Sequence, residues 1–234
     1  MNVGRAFSFV FQDPRWFGKF VAAAGLLLVP ILGWLLLFGY WLRLARGVVA
    51  GTDVPLPAWD GWGDLLADGL RASVVAFAWS LLPTILFLVP NLAEGGNAGL
   101  FVLGSVLLNL VVVVVTPAAL ARVAVRRSLL AGIEGGPVVR LVGRNVRDYL
   151  VIFGLSLALI AAAGIVLALV ALVAIVLGAL TESTVGGMAF VLVVGLGALL
   201  VLPYVQSVLY HLYGQAYYRA DPPAWSRSRS PALD

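Results

Sequence analysis

Four aspartates fall within one short stretch of an otherwise oily chain. Asp53, Asp60, Asp64 and Asp68 stand in GTDVPLPAWDGWGDLLADGL, residues 51–70. Carboxylates at this density can hold a cation or pass protons if the chain gathers two or more and shields them from water. Their spacing points elsewhere. Pro55 and Pro57 favour an extended approach, and Asp60 suits a helix start. Trp62, Leu65, Leu66, Gly69 and Ser73 then share one face, while Asp64 and Asp68 sit one turn apart on another. This predicts an interfacial helix anchored by Trp59 and Trp62, in which Asp68 can pair with Arg71, three residues on.

The one histidine, His211, lies in YVQSVLYHLYGQAYY with Tyr204, Gln206, Tyr210, Tyr213 and Tyr217. An imidazole that titrates near neutrality suits a pH gate or proton relay. The plainer reading is an aromatic belt at the membrane surface with a hydrogen-bonded histidine. Within the apolar segments the polar residues are few, among them Ser80, Thr84, Ser105, Asn109, Thr116, Ser156 and Gln206. None is ionisable, which weighs against ion-coupled transport. Asn109, Thr116, Gln206 and His211 remain the candidate polar path for a solute. With no cysteine, thiolate metal sites and disulfides receive no support. No Ser–His–Asp set, HExxH, phosphate loop or dinucleotide fingerprint can be assembled. No catalytic, metal or cofactor-binding residue is expected, no cofactor is implied, and an enzyme is the least favoured class.

The elements that must position these residues follow from composition. The chain has 234 residues, 62% of them hydrophobic and 11% charged, with mean hydropathy +1.04. Soluble domains carry about 25% charged residues, so this chain takes the bilayer as its solvent. Apolar segments at residues 20–42, 72–89, 98–121, 149–180 and 186–210 are each long enough for a transmembrane helix. The expected fold is an all-α, polytopic helical bundle of four spans plus a first segment that re-enters or spans. Pro30, Pro83, Pro117 and Pro203 predict kinks within it.

Charge placement sets orientation. The connections holding Glu94 and Glu182 contain no Lys or Arg, whereas Arg122, Arg126, Arg127, Arg140, Arg144 and Arg147 lie between the third and fourth segments. The positive-inside rule puts the arginine-rich region and the C-terminus in the cytoplasm, with the two acidic connections outside. For the first segment the flanking charges tie. A basic, aromatic N-terminal helix with Val3, Phe7, Val10 and Phe11 on one face favours a cytoplasmic N-terminus, with Trp16 as a further interfacial anchor. Segment 20–42 would then be a hairpin turning near Pro30–Gly33; the alternative is a single kinked span.

RGVVAGTDVP at 46–55 is similar to RSLLAGIEGGP at 127–137, and each precedes an amphipathic stretch. The first is acidic and the second carries Arg140, Arg144 and Arg147, so Asp64 and Asp68 are expected to pair with Arg144 and Arg147 across two cytoplasmic elbows. Residues 1–218 form one membrane domain with elbows at 1–17, 58–71 and 137–148. The tail, 219–234, is rich in Pro, Ser and Arg and reads as disordered.

FQDPRWFGKF, PILGWLLLFGYWLRLARGVVAG and PLPAWDGWGDLLADGL together resemble uncharacterised prokaryotic membrane proteins, the family of domain of unknown function 4013. Gly39, Tyr40 and Arg43 with the Pro-Leu-Pro-x-Trp-Asp run at 55–60 carry the likeness, mainly over residues 7–90. It implies an integral membrane protein and brings no activity, substrate or catalytic residue. The alternating elbows also look like membrane domains attached to some glycerophosphodiesterases, an analogy of fold alone. The expected role is a structural, lipid-organising or partner-binding subunit of the plasma membrane. A channel or facilitator for a small neutral or lipid-like solute is the alternative. Expected partners are membrane lipids, anionic headgroups on the cytoplasmic side, and a homo-oligomer or another membrane protein. The net charge of +4 is spread along membrane edges, so nucleic acid is not expected.

Overall fold

Helices account for all regular structure in the computed structural model, which describes residues 1–51, 56–92, 98–181 and 184–222. A short α1 (Val3–Ser8) runs into a 3-10 turn at Phe9–Gln12. Then come α2 (Trp16–Leu27), α3 (Leu32–Ala50), α4 (Trp62–Leu92) and α5 (Ala98–Arg126). Two short helices follow, α6 (Leu129–Ile133) and α7 (Gly135–Arg144), then the long α8 (Val146–Thr181) and α9 (Thr184–Ala220). Leu32–Ala50, Trp62–Leu88, Gly99–Arg126 and Val146–Val176 are each long and apolar enough to cross a membrane. α9 carries the fifth apolar segment. The connections holding Glu94 and Glu182, the Asp53 region and the tail from 223 lie outside the described residues.

The first apolar segment forms a helical hairpin. After α2 the chain turns through Leu28–Ile31, where the N–H of Leu32 donates to the carbonyl of Pro30 at 2.7 Å. Ile31 has φ 62° and ψ −67°, the values of a γ-turn of the rare positive-φ kind. The arms are antiparallel. Near the turn Gly33 abuts the backbone of Leu26, where an added Cβ would lie 1.8 Å from the carbonyl oxygen. At the open end the indole of Trp59, stacked on Tyr40 at 4.2 Å, donates to the carbonyl of Lys19. Both ends of the segment therefore lie at one level, as the hairpin expectation requires.

α3 is the axis of the bundle and packs against α2, α4, α5 and α9. Its crossing with α4 is made by reciprocal glycines. A Cβ on Gly39 would lie 1.9 Å from the carbonyl oxygen of Leu65, and one on Gly69 would lie 1.7 Å from that of Leu35. Helices in lipid gain little from burying apolar surface, so close backbone approach through small residues supplies their dispersion contacts. α5 brings Ala118, Ala119, Ala121 and Ala124 to the same core for the same reason. α4 pairs with α5 and α8 with α9, giving two further hairpins that return to the level of the first. The outer lengths of these helices present Leu82, Ile85, Leu103, Leu107, Ile160 and Leu169 outward, as lipid-facing surfaces do.

Two local expectations are corrected. Residues 58–71 do not form a separate interfacial helix: α4 begins at Trp62 and runs unbroken into the apolar segment. Its buried face is Leu65, Asp68, Gly69, Ala72 and Val75, while Trp62 is exposed, because the docking partner is α3 rather than the headgroups. In the N-terminal elbow the change from α to 3-10 winding after Ser8 shifts the face. Ala6, Phe9 and Val10 are buried and Phe11 is exposed. The two similar runs at 46 and 127 also differ in structure, since Arg46 is inside α3 whereas Arg127, at φ 50°, follows the end of α5. α7 is amphipathic as expected, with Val138 and Leu141 buried and Arg140 and Arg144 exposed.

Candidate functional site at the charged face

Every Lys and Arg among the described residues lies at one end of the bundle, where α1, α6, α7 and the adjoining ends of the long helices meet. Taking these side chains toward a low-dielectric core requires partners, and most of the buried ones have them. Asp68 accepts from Arg46 at 2.7 Å and from Arg71 at 2.6 Å, with its side chain 3% exposed. Arg46 also donates to the carbonyl of Ala124, tying α3 to α5. Arg122 donates to the carbonyl of Ala131 at 2.8 Å and approaches Glu134 at 3.3 Å, pinning α6 beneath α5. Asp148 collects Arg219 at 3.2 Å, the amide of Asn145 at 2.7 Å and the N-terminal ammonium at 4.0 Å.

Asp13 accepts from the ammonium of Lys19 at 2.6 Å and from the amide of Arg15 at 2.7 Å. Burial pushes its carboxyl up, but these donors and the charges of Lys19 and Arg15 prevail, and it lies below the usual aspartate value. Lys19 donates in addition to the carbonyl of Leu56 at 2.8 Å.

The expected pairing of Asp64 and Asp68 with Arg144 and Arg147 is not the one made. Asp68 is spent on Arg46 and Arg71, while Asp64, Arg144 and Arg147 are exposed. The reason is packing: α7 sits on α5, α8 and α9, whereas the start of α4 is turned to α3. The pairing of Asp68 with Arg71 is found as expected.

The candidate polar path is not assembled either. Asn109 is on the exposed outer surface of α5, Thr116 donates back to the carbonyl of Val112 at 2.7 Å, and Gln206 is half-buried. Of the tryptophans expected at the interface, Trp16 packs edge-on against Phe11, Phe17 and Phe20, Trp59 lies between Tyr40 and Trp62, and Trp62 is exposed.

His211, just past the apolar part of α9, stacks on Phe9 at 4.3 Å, and its Nδ1 lies 3.0 Å from Nε2 of Gln215. Gln215 accepts from the amide of Asn2 at 2.7 Å through Oε1 and donates to the carbonyl of Asn2 at 3.2 Å through Nε2. The Gln215 amide is thereby oriented, its second N–H is given to His211, and Nδ1 must accept. The imidazole is neutral, with its proton on Nε2. Burial, with the nearby charge of Arg5, lowers its pKa to about 4.

Beside His211 is a cavity of about 680 Å³. Asn2 and Arg5 of the N-terminal arm, Arg43 of α3, Asp60, and His211, Gln215 and Arg219 of α9 give it polar walls. Phe9, Leu44 and Val48 give it apolar ones. Arg43 reaches Asp60 twice, at its carboxylate and, at 3.0 Å, at its carbonyl.

The two runs that carry the family likeness are thus partners in space. Tyr40 stacks on Trp59, Arg43 pairs with Asp60, and Gly39 lets α4 approach. The profile of the proteins of unknown function DUF4013 matches residues 22–172, which holds all of these positions. The chain belongs to the DUF4013 family. No curated protein and no solved structure matches it. The matched region begins later than the resemblance read from the sequence, inside α2, and extends through α5 and α7 into α8, so it takes in the arginine-rich elbow together with the latter half of α2 and all of α3. α9, whose C-terminal end completes the cavity, lies beyond it.

Sequence reasoning missed Arg46, Asp148 and the Lys19–Leu56 contact. Arg46 follows the first apolar segment, three residues after Arg43, with no acid near it in sequence to mark its partner. Asp148 stands directly after Arg147 in the arginine-rich stretch, with nothing local to mark it. Lys19 and Leu56 are 37 residues apart, beyond any local pattern.

Proposed function

We propose that this DUF4013 protein is a multi-pass plasma-membrane protein, with its charged face and C-terminus in the cytoplasm, that organises lipid around itself as a scaffold. The carrying observation is the one-sided charge. Arg126, Arg127, Arg140, Arg144 and Arg147 are exposed around the inner end of an apolar bundle. Each basic residue at an anionic leaflet contributes about 1 kcal/mol of attraction. The first hairpin re-enters the bilayer from this side. From Leu32 to the residue before Arg43 is a helical reach of about 16 Å, short of the roughly 30 Å hydrocarbon core. Its tip and the splayed outer helices present apolar walls to the acyl chains, while the arginines meet the headgroups.

The test is the lipid retained when the protein is extracted in native-membrane polymer discs and weighed by mass spectrometry. Enrichment of anionic lipid over the surrounding membrane is expected. A retained composition equal to the bulk membrane would contradict the reading.

A further inference from the structure

We propose that the cavity between the N-terminal arm, α3 and α9 binds a phosphate-bearing anion, and that an anionic phospholipid headgroup fills it at the membrane surface. This rests on the lipid-organising reading and names a specific site within it.

Charge is the first argument. Three guanidiniums, Arg5, Arg43 and Arg219, line the cavity against one carboxylate, Asp60. Asp60 is already engaged by Arg43, and Arg219 shares Asp148 with the N-terminal ammonium. Arg5 has no ion pair among the described residues. The walls thus carry an uncompensated cation, and guanidinium is the group best shaped for a phosphate's paired oxygens.

Hydrogen bonding is the second. With both N–H groups of Gln215 spent on Asn2 and His211, the neutral imidazole keeps its proton on Nε2 and adds a donor rather than an acceptor to the lining. Apart from Asp60, the charged and imidazole groups of the cavity all donate. A metal cation would find the wrong surroundings there.

Size and mixed character are the third. A volume of about 680 Å³ falls within the roughly 300–1,000 Å³ usual for small-ligand sites. Phe9, Leu44 and Val48 offer apolar wall beside the arginines, as a headgroup continuing into glycerol and acyl carbons requires.

The full-length protein in neutral detergent is titrated with three probes, and binding is read from tryptophan fluorescence and thermal shift. The probes are dihexanoylphosphatidylglycerol, dihexanoylphosphatidylcholine and inorganic phosphate. Saturable binding of the phosphatidylglycerol is expected, tighter than that of the phosphatidylcholine, and weakened about tenfold or more by Arg5→Gln. Gln12→Glu, which adds an anion to the cavity wall without removing a hydrogen bond, should weaken it similarly, whereas Arg5→Lys should retain most of it. Inorganic phosphate binding as tightly as the lipid, with the same dependence on Arg5, keeps the phosphate site and assigns it to soluble phosphate esters. Equal binding of the two lipids, or binding indifferent to both Arg5→Gln and Gln12→Glu, overturns the site. In that event retained anionic lipid in native discs would still stand, so the failure of this site is distinguishable from that of the scaffold reading.

Discussion

The carbonyl of Lys19 accepts the indole N–H of Trp59 at 3.2 Å. That bond joins the entry to the first hairpin to the strap that follows its exit, and the ammonium of the same lysine closes a second link on Leu56 at 2.8 Å. A chain whose first apolar segment crossed the bilayer would hold these groups on opposite sides. The consequences of this arrangement are open to measurement.

The α3–α4 crossing depends on two missing side chains. Gly39→Ala and Gly69→Ala each place a methyl inside the van der Waals radius of a backbone carbonyl, which cannot swing aside as a side chain would. Each substitution should destabilise the protein by about 3 kcal/mol or more. Gly18→Ala, at a helical position with open space around it, should be neutral or slightly stabilising. Thermal unfolding in detergent, comparing the three variants, checks this.

Ile31 holds a backbone conformation that costs a β-branched residue about 1–3 kcal/mol. Its side chain is 76% exposed, so little packing is lost on its removal. Ile31→Gly should therefore raise the unfolding temperature, whereas Gly33→Ala, two residues on, should lower it by forcing α2 away from α3.

Asp68→Asn leaves Arg46 and Arg71 without their carboxylate. Removing one partner of a fully buried ion pair costs about 3–5 kcal/mol; both arginines are partly exposed, so a loss of about 2 kcal/mol is expected. Adding Arg46→Met should recover part of it. A double-mutant cycle in detergent gives the coupling directly.

His211 is neutral in the folded protein and titrates at about 4, below the ordinary 6.5 of an unfolded chain. Between these values the unfolded state binds the extra proton, so this residue's contribution to stability is complete above pH 6.5 and is lost as pH falls toward 4. Asp13, whose carboxyl is held low, loses its contribution only at more acid pH. Unfolding of the wild type and His211→Phe, each at pH 7 and pH 5, should show the smaller pH dependence in the variant.

Much of the fold was legible because its signals are local. Long apolar runs read as helices, the arginines cluster by sequence beside their ends, and Pro30–Gly33 marks a turn that the structure places at Leu28–Ile31. What was not legible depends on which helix lies beside which. Helical spacing describes an isolated helix, so it puts Asp64 and Asp68 together on one face and offers both to Arg144 and Arg147. Docked on α3 through Gly69, the same helix buries Asp68 and leaves Trp62 outside. The cavity was invisible for the same reason: Arg5, Arg43 and Arg219 come from three elements far apart in sequence, and nothing in their spacing signals that they meet. The tyrosines around His211 are evident from the sequence, but its partners Phe9 and Asn2-bound Gln215 require the N-terminal arm to fold onto α9.

The most direct test is the side of the membrane on which the N-terminal arm lies. The chain has no cysteine, so Gln12→Cys and Arg126→Cys, made singly, each give one reactive thiol. In intact cells a membrane-impermeant maleimide should leave both unlabelled, and both should react once the membrane is opened. Labelling of the residue 12 thiol from outside, with that at 126 still protected, would contradict the re-entrant hairpin and the common charged face built on it.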